Sequence, residues 1–177
     1  SPIPGEDFQM FERDLPGENK SGLSYQQAST EVPLESCETM NGSWGFNITD
    51  NNYKSVKTVL QLLIKAAGYN ANLLLNVGPM PDGTIQSEFT DTLKKAGEWM
   101  AKFGETIYGT RGGLIPPKEW GTVTVKDNAV FVHILNPPSA QSNIFIPGFS
   151  QKVSNAILFV NKSKVKFKQQ TEGLFIY

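Results

Sequence analysis

Two hydrophobic patterns in the middle of the chain constrain the fold more than any other sequence feature. Apolar residues recur at helical spacing after Ser55, a plausible N-cap, up to Gly68, a plausible C′ residue, and they predict a helix. The continuous apolar run Leu73–Val77 follows and is closed by Gly78-Pro79, which is typical of a strand covered on both faces.

A second helix is predicted shortly after this strand. Pro81-Asp82-Gly83 indicates a turn, and apolar residues then recur at gaps of three and four from Phe89 to Phe103, ending near Gly104. The order helix, buried strand, loop, helix is typical of an α/β layer structure. In such folds, functional groups lie in the loops that follow buried strands.

The hydrophobic period changes to two beyond Pro116-Pro117. The alternation over 123–134 predicts a hairpin, and four further strands are predicted over 142–146, 156–160, 164–168 and 173–177. We therefore expect α/β structure over residues 1–113, whose first 50 residues are loop-rich with one short strand at 32–37. An all-β segment, an incomplete β-sandwich, is expected over residues 114–177.

Composition excludes several classes of function. The 177 residues hold 16 Lys and Arg against 17 Asp and Glu, so the formal charge of −1 removes the usual electrostatic case for binding nucleic acid or an anionic membrane. The single cysteine excludes an intramolecular disulfide, and with one histidine it leaves too few ligands for an ordinary zinc site. We expect no metal and no cofactor, so the chemistry must come from carboxylates, amides, hydroxyls and aromatic rings.

The ends of the sequence suggest that it is a piece of a longer protein. It opens at Ser1 without a methionine, and it stops within the apolar run Leu174–Tyr177, which is typical of the middle of a strand. Because natural termini tend to fray at the surface, we expect the chain to be cut at both ends.

Two acidic stretches contain the candidate catalytic groups. Glu12 lies in a segment where carboxylates alternate with aromatic residues, and a carboxyl beside Phe8 or Phe11 loses solvation, which suits a general acid. The alternative is a solvated acidic loop with Arg13 in a surface ion pair. Glu35 opens the second stretch, which continues through Trp44 to Phe46.

Two other residues have both a functional and a structural interpretation, and two more are expected to be structural. Trp44 could offer a flat face to a sugar or pack in the core. Asn76, at the carboxyl end of the apolar run, is either a functional group or a cap of the next turn. Cys37 is expected to be a buried small hydrophobe, and His133 a surface or hydrogen-bonded strand histidine.

Four motifs, in this order, resemble the α-L-fucosidases of glycoside hydrolase family 29. They are Asp7-Phe8 with Glu12, the run Thr39–Phe46, the run Asn72–Pro79 with Asp82-Gly83, and Gly104–Arg111. The resemblance covers roughly residues 5 to 115, and Leu74-Leu75-Asn76-Val77-Gly78-Pro79 is its most specific part.

The resemblance implies a retaining exo-hydrolase on a (β/α)8-like barrel, of which this chain is the C-terminal portion. Glu12 matches the family's general acid/base, with Glu35 as the fallback acid. Trp44 matches an aromatic residue that lines the fucose pocket, and Asn76 would lie near the pocket floor. The partners implied are a fucosylated oligosaccharide or glycoconjugate and the rest of the barrel. The location implied is periplasmic or extracellular in a bacterium, or lysosomal.

The resemblance also implies that part of the machinery is absent from residues 1–177. The family's nucleophilic aspartate would precede Ser1, and retaining hydrolysis requires two carboxyl groups about 5–5.5 Å apart. We therefore expect the isolated chain to be inactive.

Three other functions remain open on the residues alone. The chain could be a carbohydrate-binding fragment without catalysis, using its β segment with Trp120 or Trp44. It could be a structural domain that packs beside another chain. Among enzymes, a retaining glycosidase for another sugar is the nearest alternative.

Overall fold

The computed structural model describes residues 4–25, 27–137 and 143–177. The chain divides into two compact units, one formed by residues 1–117 and 122–133, the other by residues 118–121 and 134–177. Both are small and rich in sheet, and the described residues form only two α-helices. The division into a barrel part at 1–113 and a sandwich part at 114–177 stays a prediction.

A parallel three-stranded sheet forms the centre of the first unit. Its strands are β1 (Gln9–Glu12), β2 (Leu34–Thr39) and β3 (Ala71–Asn76), in that spatial order. The register aligns Glu12 with Cys37, and Thr39 with Asn76. Because all three strands run the same way, their carboxyl ends lie along one edge of the sheet.

Helix α1 (Val56–Gly68) connects β2 to β3, and its ends illustrate one confirmed and one wrong prediction. Ser55 is the N-cap, as predicted, and its hydroxyl accepts a hydrogen bond from the Thr58 N–H at 3.1 Å. Gly68 is not the C′ residue but the last helical residue, and Asn70 takes the left-handed conformation, with φ of 59°. Gly68 is required there because a Cβ would meet the hydroxyl of Thr122 at 1.9 Å.

Helix α2 (Ser87–Phe103) follows the predicted turn at 81–83 and runs into a short 3₁₀ turn, Gly104–Thr106. Phe89 and Ala96 on α2 pack with Val59 of α1 and with Met40, and Leu75 of β3 lies against this cluster. The core of the first unit is therefore the layer between the helices and one face of the sheet.

The other face of the sheet is open, which contradicts the prediction that β3 is covered on both faces. Side chains alternate along a strand, so Leu75 points toward the helices and Leu74 to the opposite face. Leu74 is 43% exposed and Met10 of β1 is 55% exposed. This face is therefore only partly covered by the described residues, although the sequence of β3 is apolar enough for burial on both sides.

The predicted hairpin is confirmed. Strands β4 (Gly121–Lys126) and β5 (Ala129–Ile134) pair across a turn at Asp127-Asn128. Most of this hairpin belongs to the first unit, which extends to residue 133.

An antiparallel sheet forms the second unit. Its strands are β6 (Ile144–Pro147), β7 (Phe167–Gln170) and β8 (Gly173–Ile176), in the order β6-β8-β7. The strand predicted over 173–177 is confirmed. The one predicted over 142–146 corresponds to β6, with Ser142 outside the described residues, and the one predicted over 164–168 begins only at Phe167.

The strand predicted over 156–160 is wrong. The segment makes a single bridge, Ile157 to Lys164, and then turns back at once. The Leu158 N–H donates to the Ser163 carbonyl, and Lys162 takes a positive φ of 60°. Because the chain reverses here, Val160 projects outward and is 73% exposed.

No helix in the described part of the chain is long and apolar enough to cross a membrane.

Candidate active site

Polar side chains from all three strands of the parallel sheet meet at its carboxyl edge. Glu12 is the last residue of β1, Thr39 the last of β2 and Asn76 the last of β3. The loop that follows β2 brings Trp44 over this edge. Edges of this kind hold the functional groups of parallel α/β folds, because loops vary while the strands hold them in place.

A hydrogen bond joins the two strongest candidates from the sequence. The Trp44 indole Nε1–H donates to Glu12 Oε1 over 3.1 Å. Both side chains are half-buried, so Trp44 is not a fully buried core residue. An indole N–H can only donate, so it fixes one carboxyl oxygen and leaves the other for a proton or a ligand.

Asn76 anchors the loop that carries Trp44 through side-chain hydrogen bonds. Its Nδ2 donates to the Trp44 carbonyl at 2.7 Å and to the Thr39 hydroxyl at 3.3 Å. The Thr39 hydroxyl in turn donates to the Ser43 carbonyl at 3.0 Å. Asn76 therefore ties the ends of β2 and β3 to the backbone that carries Trp44, which is a positioning role rather than a cap of the following turn.

Gly78 allows this loop to approach the segment after β3. A Cβ at Gly78 would lie 2.5 Å from the Gly45 carbonyl carbon and 2.6 Å from the Phe46 nitrogen. Backbone atoms cannot move aside as a flexible side chain does, so only glycine is compatible with this contact.

Arg13 packs against the ring of Trp44, a role that sequence reasoning missed. Its guanidinium carbon lies 5.2 Å from the Trp44 ring centroid, and its Nη2 donates to the Gly42 carbonyl at 2.7 Å. This is cation–π geometry. Arg13 has a φ of 58°, which is uncommon for a residue with a side chain. The sequence feature that could have indicated this role is the position of Arg13 directly after Glu12. The alternative that Arg13 forms a surface ion pair is wrong, because its guanidinium contacts the Trp44 ring and the Gly42 carbonyl instead.

A second hydrogen-bonded group, also missed, organises the loop between β2 and α1. The Ser43 hydroxyl donates to Asp50 Oδ2 at 2.7 Å, and the buried Asn41 donates to the Asp50 carbonyl at 3.3 Å. The hydrogen bond from Ser43 lowers the pKa of Asp50 from its ordinary value. Asp50 thus stays a charged acceptor that holds the loop at physiological pH.

The fallback acid, Glu35, lies further from the edge. The register aligns it with Met10, two residues before Glu12 on β1. It shares the open face with Cys37, which is half-buried rather than buried, and the two stand two residues apart on β2. Burial, followed by the negative charges of Glu35, Glu12 and Glu38, raises the pKa of the Cys37 thiol. A thiol in this environment is a poor nucleophile.

An open cavity of about 440 Å³ has Arg13 in its lining, but not Glu12, Trp44 or Asn76. Arg13, Asn41, Gly42 and Lys54 are among its lining residues. Lys54 also forms an ion pair with Glu38 at 3.4 Å. The lining is polar and carries both signs of charge, so the cavity suits a hydroxyl-rich ligand better than an apolar one.

His133 takes no part in this site. It is buried on β5, where its Nε2 lies 2.9 Å from the Thr124 hydroxyl. Burial lowers its pKa from 6.5 to about 4. No group of three or more His, Cys, Asp or Glu side chains within residues 4–25, 27–137 and 143–177 is arranged to hold a metal ion.

Comparison with known proteins identifies the family. The family model described as Alpha-L-fucosidase matches residues 1–105, which is more than half of the chain. The chain belongs to the α-L-fucosidase family. It is a partial segment of the family's longer members, of carboxyl-terminal type.

Named α-L-fucosidases resemble the chain over part of their length. Plasma alpha-L-fucosidase of Homo sapiens is 31% identical over 116 residues, which cover 60% of this chain and 24% of that protein. Alpha-L-fucosidase of Branchiostoma floridae is 30% identical over 131 residues, covering 70% of this chain and 29% of that protein. The chain thus spans about a quarter of the length of these α-L-fucosidases.

Solved α-L-fucosidase structures share the fold. Alpha-L-fucosidase isoenzyme 1 from Paenibacillus thiaminolyticus is 31% identical, with a TM-score of 0.76 over 96% of this chain and 40% of that one. Thermotoga maritima alpha-fucosidase in complex with fucose is 29% identical, with a TM-score of 0.74 over 98% of this chain and 38% of that one. The fold is thus that of a part of an α-L-fucosidase.

Proposed function

We propose that this chain supplies the general acid/base of a retaining exo-α-L-fucosidase, and that Glu12 is this residue. The observation that carries the proposal is the Trp44–Glu12 hydrogen bond at the carboxyl edge of a parallel sheet. Glu12 ends its strand there and is half-buried. A carboxyl group held in this way has one fixed oxygen and one that can exchange a proton with substrate.

The reaction takes two steps. In the first, Glu12 donates its proton to the departing glycosidic oxygen, while an aspartate attacks the anomeric carbon and forms a fucosyl–enzyme ester. In the second, the Glu12 carboxylate takes a proton from water, and the resulting hydroxide displaces the aspartate. We propose that this aspartate lies outside residues 1–177, with its carboxyl group about 5–5.5 Å from that of Glu12.

Trp44 and Asn76 position the acid in this proposal. Trp44 orients the Glu12 carboxyl through its N–H and offers its ring to the apolar face and methyl group of the sugar. Asn76 fixes the Trp44 backbone through the 2.7 Å hydrogen bond to its carbonyl. Arg13 packs against the indole ring, with its guanidinium carbon 5.2 Å from the ring centroid.

The open face of the sheet fits a part of a (β/α)8-like barrel. In such a barrel, one face of every strand points inward and is buried by the other strands. Met10 and Leu74, which are exposed in this chain, would lie in that interior, on the face that also carries Glu12. We accordingly propose that residues 1–113 form part of the barrel and that residues 114–177 form part of a β-sandwich.

The substrate proposed is a terminal α-L-fucosyl unit of an oligosaccharide or glycoconjugate. The polar cavity beside Arg13 is suited to hydroxyl groups on the glycan. Glycans of this kind are met outside the cytoplasm, so we propose a periplasmic, extracellular or lysosomal place of action.

Matched Gln variants of the two candidate acids test the proposal in the whole protein. Glu12→Gln should lower turnover strongly for a fucoside with a poor leaving group, and much less for an activated aryl fucoside, because only the former needs a proton. Glu35→Gln is the control. It removes a carboxyl group from the same face of the sheet, at the level of Met10, two residues further from the carboxyl edge than Glu12. Glu12 would be rejected as the acid if Glu12→Gln lost the same factor of turnover on both substrates. It would also be rejected if only Glu35→Gln showed a loss that depends on the leaving group.

The assignment of the nucleophile has a separate test. Residues 1–177 alone should not hydrolyse an aryl α-L-fucoside, because the second carboxyl group is lacking. Turnover by the purified chain, with its intact mass verified, would place the nucleophile within these residues. Cleavage of a different aryl glycoside by the whole protein would favour a retaining glycosidase for another sugar.

A further inference from the structure

The near-neutral charge of the chain conceals a strong local imbalance. Residues 134–177 contain five lysines and one acidic residue, Glu172, and therefore carry a net charge of +4 against −1 for the whole chain. These residues form nearly all of the second unit. Its surface is basic, whereas the first unit carries the excess of acidic groups.

Three of the five lysines form a row. Lys168 lies in β7, and Lys164 and Lys166 lie in the segment that leads into it, where they alternate with Val165 and Phe167. All three lysines are exposed, and the two residues between them are half-buried. None of these lysines forms an ion pair with a carboxylate in the described part of the chain.

Two aromatic rings lie on the same face of the sheet as Lys168. The register aligns Lys168 with Phe175 and Phe175 with Phe145, so these three side chains cross the sheet side by side. The two rings are stacked, with centroids 4.6 Å apart and planes 25° apart, and both are half-buried. The opposite face carries Ile146 and Leu174, which are buried. The outer face of this sheet thus combines ammonium groups with aromatic surface.

Protection against strand addition explains only part of this arrangement. Strand β7 is at the edge of its sheet, and edge lysines discourage pairing with other chains. That role does not require a stacked aromatic pair on the same face, nor does it require carboxylates to be so scarce across the unit. We infer that this face, formed by Lys164, Lys166, Lys168, Phe145 and Phe175, binds an anionic polysaccharide.

The chemistry of the face matches a polysaccharide that bears sulfate or carboxylate groups. The lysine ammonium groups would pair with the anions, while the aromatic rings would contact the apolar C–H faces of the sugar rings. A polysaccharide is favoured over a nucleic acid because the chain belongs to a family of glycan-cleaving enzymes. The inference does not depend on Glu12, since the readout is binding and the residues lie in the second unit.

Retention on an immobilised polyanion tests the inference directly. The protein, passed over dextran sulfate beads and over unmodified dextran beads at low salt, should be retained only on the former. The dissociation constant should rise with salt concentration, because binding releases counterions from the polymer. No retention on dextran sulfate, or equal retention on both supports, would overturn the inference without any variant.

Charge-matched variants locate the binding face. Replacing Lys164, Lys166 and Lys168 together by Gln should weaken binding about tenfold, as expected for three exposed ion pairs. Replacing the same three by Arg should preserve binding. The control replaces three exposed helical lysines of the first unit, Lys57, Lys94 and Lys95, by Gln and should leave binding unchanged.

Two outcomes would count against the proposal, one from the variants and one from a comparison of ligands. An equal loss of dextran sulfate binding in the protein with Gln at Lys57, Lys94 and Lys95 would show that only the total charge of the protein matters. Tighter binding to double-stranded DNA or to phosphatidylserine vesicles than to dextran sulfate would show that the face serves a different partner. Binding that is strongest for dextran sulfate and lost only in the Lys164/Lys166/Lys168→Gln protein would support it.

Discussion

The indole N–H of Trp44 donates to Oε1 of Glu12 at 3.1 Å, across 32 residues of sequence. Glu12 is placed by the end of a strand, whereas Trp44 is placed by a loop that three other contacts hold. Those contacts are the Asn76 amide, the Arg13 guanidinium and the close approach of Gly78. Substitution of Arg13 or of Gly78 disturbs one of these contacts, and the expected effect differs between the two.

Trp44→Phe separates the hydrogen bond from the aromatic ring. We expect turnover of the whole protein on a fucoside with a poor leaving group to fall by about ten- to 150-fold, because a hydrogen bond to a charged group contributes about 1.5–3 kcal/mol. Stability should change by less than about 1 kcal/mol, since the half-buried ring is retained. Steady-state kinetics and thermal melting would check both. A large fall in melting temperature with little effect on turnover would show that Trp44 acts mainly in packing.

Arg13→Asn tests the support behind Trp44. Asn tolerates the left-handed backbone seen at this position, so the substitution removes the guanidinium without new backbone strain. Turnover should fall severalfold, with the melting temperature nearly unchanged, because Arg13 is exposed and acts through the Trp44 loop. Arg13→Lys should recover part of the loss, since it keeps the cation over the ring but not the planar guanidinium. Unchanged kinetics in Arg13→Asn would remove Arg13 from the site.

Gly78→Ala tests the close approach of the two loops. The added methyl group would meet the Gly45 and Phe46 backbone at 2.5–2.8 Å, so we expect the free energy of unfolding to fall by about 2 kcal/mol or the Trp44 loop to move, with loss of turnover. Gly97→Ala is the matched control, because Gly97 lies within α2 with open space around it. That variant should gain up to about 1 kcal/mol from helix propensity. Chemical denaturation of both would check the pair, and similar values for the two would contradict the contact.

His133 should make stability depend on pH. Thr124 donates its hydroxyl proton to the Thr106 carbonyl at 2.7 Å, so the neutral imidazole must donate from Nε2 to Thr124. Burial lowers the pKa of His133 from 6.5 to about 4. Between these values the unfolded chain binds a proton that the folded chain does not. The free energy of unfolding should therefore decrease as pH falls through this window, by about 3 kcal/mol in total.

The His133→Gln variant isolates this effect. Gln keeps a donor toward Thr124 but does not titrate, so its stability should change less than that of the parent between pH 6.5 and 4. Urea unfolding at several pH values within the window would measure the difference. Parallel curves for parent and variant would show that other groups cause the pH dependence.

Local sequence predicted the elements that depend on short-range patterns. The helices α1 and α2, the Ser55 cap, the turn at 81–83 and the hairpin over 123–134 all follow from periodicity and turn residues within a few positions. Gly68 was misplaced because its role depends on Thr122, more than fifty residues away in the chain. The strand predicted over 156–160 failed because a tight turn, closed by backbone hydrogen bonds between Leu158 and residues 162 and 163, interrupts an apolar run.

The sequence alone determined which residues have chemistry to offer, while the tertiary structure decided how they act together. Glu12, Trp44 and Asn76 could be selected from residue type and from their positions at the ends of apolar runs. The hydrogen bond between Glu12 and Trp44, the support from Arg13 and the shared face of Lys168, Phe175 and Phe145 could not, because each depends on register between distant segments. Periodicity reports which side of an element is apolar, but only strand pairing and loop packing determine which side chains meet.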